Sequence, residues 1–458
     1  MFRWCGVWVI VIGMTFGLGL SSHPAHQPTL PTLIMALRQD ADRHGVYRVD
    51  PEADQWVELI PPLYDQIQSN GWSPDGDWLY LLVCSWQLDI PCGGMGDDYG
   101  QTWRVAADGS YAEQLPIPLS AGITWSPDGQ WIVFLGADGL YRAHGDGSAL
   151  LNLTADEGVH PLGGGSWATW RPVFSPDSRR VLFTAYDDIT HDVALYWADL
   201  TGTEGIGKIS RGDRWLWATA WPADEWLVVN TGDRYASYMR MRADGSAIYE
   251  LSEWSDGGDI YASPLLILPD GLIELPDFLL VGNVNPYDNE DDTLSGVRLQ
   301  DGATLWTIPA TTYLSMTPDH WLLFLHDSGH FFKMRLDGSQ LTPLATIPPR
   351  VGPYVEYIDW LPYGDGGVFA YRNHETSSTE YYYLRADDIP QPLTLLYQTP
   401  NYHKVLETIP DTESLLIGEY QKARLVMRQI STSDGAIETI AEFSDRDDFL
   451  AVAQTSHP

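Results

Sequence analysis

The side chains best equipped for chemistry sit in a few short stretches. His326-Asp327-Ser328-Gly329-His330 sets two imidazoles on either side of a tight turn. They could face one another across a hairpin and hold a metal, or simply stand in water. Asp288-Asn289-Glu290-Asp291-Asp292 crowds hard oxygen donors together. Asp288, Asp291 and Asp292 would suit calcium, but the run lacks EF-hand spacing, and a plain acidic loop tip has the same composition. Asp40-x-Asp42-x-His44-Gly45 is a weaker pattern of that kind. Cys84 and Cys92 enclose a short insert that ends at Gly93-Gly94. In an exported chain they form a disulfide; otherwise they are two free thiols. A structural zinc site needs about four ligands, and Cys5 is the one further cysteine. Two tryptophan pairs, Trp167 with Trp170 and Trp215 with Trp217, stand in polar connecting segments. Trp is enriched at binding hot spots, although such rings also serve as wedges between packed sheets.

The common catalytic signatures do not occur. The nearest string to a Gly-x-Ser-x-Gly elbow is Gly164-Gly165-Ser166-Trp167-Ala168, which ends in Ala. Gly163-Gly164-Gly165 is not followed by Gly-Lys-Ser/Thr, so it is no phosphate loop, and there is no His-Glu-x-x-His zinc helix. The chain holds 62 acidic and 26 basic residues, a net charge of −36. Such a surface repels phosphate backbones and excludes nucleic acid as a partner class. It attracts cations and basic partners.

The elements that must position these residues are set out by a repeat. Gly71-Trp72-Ser73-Pro74-Asp75-Gly76, Thr124-Trp125-Ser126-Pro127-Asp128-Gly129 and Val173-Phe174-Ser175-Pro176-Asp177-Ser178 are close copies. Looser ones centre on Pro222, Pro269, Pro318, Pro362 and Pro410. The spacings run from 44 to 53 residues with a mean of 48. In each unit an apolar strand ends at the Pro-Asp-Gly turn, where Pro presets φ and Gly permits the reversal. A second apolar run follows, such as Trp131-Ile132-Val133-Phe134. A third strand alternates, such as Tyr238-Met239-Arg240-Met241-Arg242, and ends in Asp-Gly, a strong hairpin signal. A fourth strand closes the unit. Strand repeats of ~40–50 residues are the signature of a β-propeller.

This repeat resembles the WD-repeat-like propeller repeats of the TolB-like family, and is similar to those in the propeller domains of prolyl-oligopeptidase-type peptidases. The resemblance covers roughly residues 70–443. It implies an all-β fold: a single closed β-propeller over residues 30–458 with eight or nine four-stranded blades. Residues 33–60 supply three strands of a unit that lacks its first. The apolar run from Phe449 to Gln454 is a lone strand. The ring is therefore expected to close by pairing N- and C-terminal strands, which removes two exposed edges. In such a ring the connections from second to third strands, including the inserts 84–101 and 283–294, share a face with the connections between units. Trp167, Trp170, Trp215 and Trp217 are placed in the latter.

Residues 1–22 carry a basic start, an apolar run from Trp4 to Leu20, then Ser21-Ser22-His23-Pro24. This is the layout of a secretory signal peptide, or of a retained N-terminal anchor. Export follows from either, to the periplasm, the outside or the membrane surface. The expected function is a non-catalytic, monomeric extracytoplasmic binding or scaffold protein, with a protein or glycan partner at the loop rim and no cofactor beyond calcium. It touches the membrane only through its N-terminus. The alternative is a metal-dependent polysaccharide lyase or hydrolase on a propeller scaffold, whose polyuronate substrate the negative charge would oppose unless a cation bridged them.

Overall fold

The computed structural model describes the chain from residue 32 to 452, apart from 41–42, 86–99, 119, 137, 156, 163–171, 210–215, 224, 232–237, 251–263, 267–277, 284–292, 299, 310, 317–320, 327–329, 347–354, 361–365, 374–377, 386–392, 401, 410–413, 422–423, 432–434 and 445–447. The described residues are all-β, with no helix long and apolar enough to cross a membrane. They form nine antiparallel sheets, in each of which four strands follow one another in space. Sheet 1 holds Leu33–Asp40, Arg43–Asp50 and Gln55–Tyr64, and its first position is filled by Asp448–Val452 from the other end of the chain. Leu33 pairs with Val452 and Met35 with Phe449, as the complementary ends of the sequence led us to expect. Sheets 2 to 9 then follow in chain order, beginning at Gln66, Ser120, Val159, Leu216, Pro264, Thr311, Val355 and Tyr402.

The chain divides into two compact units. One comprises Met1–Ser85, Trp103–Gln114 and Thr399–Pro458; the other comprises Trp86–Thr102 and Leu115–Gln398. In the first, Leu33, Met35 and Val49 of sheet 1 share a core with Leu416, Met427 and Phe443 of sheet 9. In the second, Val133 and Leu135 of sheet 3 pack with Val181, Phe183 and Tyr196 of sheet 4. Leu182 and Leu195 of sheet 4 pack with Leu227, Val229 and Met241 of sheet 5. The middle strands are buried on both faces: Ile132–Gly136 is buried at every residue. Both of its faces meet apolar surface, so its sequence is a continuous apolar run rather than an alternation.

The first-to-second-strand turns of sheets 2, 3 and 4 repeat one hydrogen-bond pattern. The hydroxyls of Ser73, Ser126 and Ser175, each 5% exposed or less, donate to Asp75, Asp128 and Asp177 at 2.5–2.7 Å. The same hydroxyls accept the amides of Trp78, Trp131 and Arg180 at 2.9–3.0 Å. Where sheets 2 and 3 have Gly76 and Gly129, sheet 4 has Ser178 at φ 57°. That left-handed Ser is retained because its hydroxyl accepts the Asp128 amide of sheet 3 at 3.1 Å, tying two turns together.

The scarce cations are spent on packing. Arg104 lies 4.0 Å over Trp78, Arg142 4.1 Å over Trp131, and Arg335 3.9 Å over Trp321. In each, the ring enters the second strand and the guanidinium sits on the third. Sheet 4 reverses the pair: Arg180 enters the second strand, and Trp197 of the third lies 4.2 Å away. The cross-strand step is the one that joins Trp226 to Arg240 in sheet 5, since Leu182 faces Trp197 as Val228 faces Arg240. The contact matters, not which strand supplies which half. These cations also meet the next sheet. Arg240 is 5% exposed, and burial lowers its pKa while Asp301 of sheet 6 opposes the shift. Asp199 of sheet 4 does the same for Arg142 of sheet 3. Gly302, at φ 71°, needs its missing side chain: a Cβ there would lie 2.9 Å from an Arg240 guanidinium nitrogen.

Candidate functional site

Every sheet has two ends: one with the first-to-second and third-to-fourth turns, the other with the hairpin between second and third strands. Among the described residues the turn end repeats the serine–aspartate cap in sheets 2, 3 and 4. Connection lengths differ at both ends: at the hairpin end 85–100 separates Cys84 from Gln101 and 284–292 separates Asn283 from Thr293, whereas Gly136 and Gly139 are joined by two residues, and at the turn end of sheet 6 267–277 separates Leu266 from Phe278.

The hairpin of sheet 4 is the best-defined site. Arg180–Asp187 and Val193–Asp199 are joined by a turn built on Asp187, which is 9% exposed. Its carboxylate accepts the amides of Ile189 (2.8 Å) and Thr190 (3.1 Å), the Tyr196 hydroxyl (2.8 Å) and the Lys208 ammonium (3.1 Å). The Thr190 amide, then, against the opposing effect of burial, Tyr196, the Ile189 amide and Lys208 hold it well below the usual carboxylate range. Burial and Asp187 together push the Tyr196 phenol up. Lys208 also donates to the Thr190 hydroxyl at 3.2 Å. Around this knot, His160 on the first strand meets Asp188 at 2.8 Å, Tyr186 meets His191 at 3.0 Å, and the Asp188 amide donates to the Gly158 carbonyl at 3.0 Å. The turn is thus gripped from three other strands. At its tip Ile189 is 84% exposed.

Two other hairpin ends bury carboxylates with different partners. Glu419, 2% exposed, accepts Arg428 Nε and Gln421 Nε2, each at 2.8 Å, and the Thr399 hydroxyl. Glu380, 9% exposed, accepts the Tyr382 hydroxyl at 2.6 Å. All three acids accept from strong donors.

The tryptophans singled out above divide. Trp167, Trp170 and Trp215 lie outside the described residues. Trp217 belongs to the first strand of sheet 5, opposite Asn230, rather than to a connection between sheets. The position of Trp167 and Trp170 in the chain also differs from expectation. Val159–Pro161 and Val173–Phe174 both pair with Arg180–Asp187, so the segment bearing these tryptophans interrupts the first strand of sheet 4 instead of preceding it. The Thr184 hydroxyl donates to the Leu216 carbonyl at 3.0 Å, which fixes the residue before Trp217 beside the strand that leads to Asp187. Asp288, Asp291, Asp292 and Cys92 lie outside the described residues. Cys84 is disulfide-bonded. His326 and His330 are direct cross-strand partners, and both approach the Phe332 ring, at 6.2 and 6.3 Å. Among the described residues no group of three or more His, Cys, Asp or Glu side chains is placed to hold a metal. The Asp187 knot, Glu380 and Glu419 were not foreseen. The pair Asp187-Asp188 followed by His191-Asp192 between two apolar strands was the one signal available for the first.

No protein-family model matches the sequence, and no curated protein does. Among solved structures the chain is similar to an oligogalacturonate lyase in complex with manganese, at 12% identity and a TM-score of 0.44 over 78% of this chain and 97% of that one. It is similar to Porphyromonas gingivalis dipeptidyl peptidase 4, at 13% identity and a TM-score of 0.48 over 90% and 59%. It is also similar to a TolB structure from Agrobacterium tumefaciens, at 16% identity and a TM-score of 0.34 over 62% and 91%. These names belong to the neighbours, and likenesses at this level carry no argument about this chain.

Proposed function

We propose that the nine sheets are the blades of one β-propeller, closed by the strand Asp448–Val452, and that the protein is a non-catalytic extracytoplasmic binding scaffold. Its partner, a protein or a glycan, is taken at the hairpin end. The observation that carries this reading is the contrast between the two ends. In sheets 2 to 4 the first-to-second turns repeat one set of caps, while the hairpin end carries the longest connection between strands of one sheet, 85–100, and the gripped turn at Asp187. Variable connections on a repeated scaffold are where binding is built. The leader at 1–22, the Cys84–Cys92 bond and calcium at Asp288, Asp291 and Asp292 belong to the same proposal, and the disulfide at Cys84 supports the oxidising compartment it requires.

Replacing Trp215 and Trp217 together by Ala tests it. Capture of a glycan or protein ligand is expected to fall at least tenfold, with Tm within about 3 °C of wild type. Turnover of a polysaccharide that is abolished by chelator and restored by a divalent metal would replace the binding reading with the enzymatic one.

A further inference from the structure

We propose that the 187–192 turn of sheet 4 is a contact finger for a protein partner, whose docking patch is an apolar pocket rimmed by basic side chains. Ile189 is the inserted residue. This rests on the binding reading above and names the element and the chemistry it meets.

Ile189 stands apart from the other exposed large apolar residues. They lie between 40% and 53% exposed, on or beside fourth strands, whereas Ile189 is 84% exposed on a hairpin tip. Exposure of one residue is ordinary by itself. What is not ordinary is the apparatus beneath it. Closing two antiparallel strands needs only a two-residue turn, as Gly136 and Gly139 illustrate. Here a longer turn is held with His191 at φ 60°. Its conformation is fixed by a buried carboxylate with four donors, by a lysine from the fourth strand, and by His160 and the Gly158 carbonyl from the first-strand side. An apolar side chain presented on a backbone already ordered loses little further entropy when a partner closes over it. Lys208 is drawn inward to Asp187 and Thr190. Beside the tip Asp188 and His160, both exposed, are paired. On a chain of net charge −36 this rim favours a cationic border on the partner.

The test is site-specific photo-crosslinking in the full-length protein, in the cells that make it. A diazirine side chain is placed at 189, at 217 and, as an exposed apolar control, at 341. One discrete protein adduct at 189 and none at 341 is expected. The purified adduct partner is then expected to bind Ile189→Asp at least tenfold more weakly than wild type, with unchanged Tm and with affinity falling as salt is raised. Equal adducts at 189 and 341, an adduct to a second copy of this chain, or wild-type affinity in Ile189→Asp would overturn the finger. Adducts at 217 without any at 189 would retire the finger and leave the binding scaffold standing. No adduct at either position would likewise retire the finger.

Discussion

The two ends of the sheets use the same residue types to opposite effect. At the turn end an aspartate caps its own loop. Asp75, Asp128 and Asp177 each accept a serine hydroxyl two residues away, and Asp108, Asp244 and Asp337 each accept the amide two residues on. At the hairpin end Asp187 also caps its own turn through the Ile189 and Thr190 amides, but it and Glu419 accept from other strands as well, and each has a basic partner, Lys208 or Arg428. Such caps are made within one turn, even where a neighbour adds to them, as Ser178 of sheet 4 does at the Asp128 amide of sheet 3. A buried acid that draws on three strands cannot be copied without its partners. Among the described residues the turns of sheets 2 to 4 are thus shared, and the hairpin ends of sheets 4 and 9 are individual.

That contrast orders the expected effects of substitution. Arg428→Met should be the most damaging, because it removes the cationic partner of a carboxyl that is 2% exposed; a loss of about 3–5 kcal/mol is expected in denaturant unfolding. A loss under about 1 kcal/mol would place Glu419 with the local caps instead. Asp187→Asn should cost about 1.5–3 kcal/mol, the scale of hydrogen bonds to a charged group. The wild-type carboxylate is also depressed in the folded state. Its contribution is complete above the unfolded value of about 4 and is lost as pH falls below it toward the folded one. Unfolding midpoints measured downward from pH 5 should therefore converge for wild type and Asp187→Asn. Curves that stay parallel would mean that the charge contributes nothing.

At the turn end Ser126→Ala should cost about 1 kcal/mol, because its hydroxyl both donates to Asp128 and accepts the Trp131 amide. The equivalent changes at Ser73 and Ser175 should match it closely, and a spread larger than the values themselves would deny that these turns are interchangeable. The smallest effect concerns the reversed pair. Arg180→Trp and Trp197→Arg should each lose about 0.5–1 kcal/mol, and the double exchange should recover most of it, since sheets 3 and 5 already use that arrangement.

Much of this was legible in the residues. Pro-Asp-Gly at 74–76 and 127–129, and the apolar run after each, marked turn and second strand because Pro and Gly act locally. The missing first strand of sheet 1 was visible as an arithmetic remainder. The placement of Trp167 and Trp170 was not. Val159–Pro161 is three residues long and carries no period, so nothing in the sequence distinguishes half a strand from a connection. Burial of Glu380 and Glu419 was equally hidden, because alternation gives the face of a strand but not what covers it. The reversal at Arg180 and Trp197 is invisible until the register is known, and the facing of Arg240 by Asp301 links positions far apart in the chain.

The strand Asp448–Val452 also imposes a schedule on synthesis. Leu33–Asp40 leaves the ribosome early, while its neighbour on one side is not made until about 400 residues later. At about 5–20 residues per second that is a wait of about 20–80 s. Through that interval the edge made by Leu33, Ile34, Met35 and Ala36, each at most 1% exposed in the finished protein, is a bare row of amides and carbonyls beside apolar side chains. The producing cell must keep that edge from pairing with other chains, so holdase demand, more than intrinsic stability, should set the yield of the mature protein.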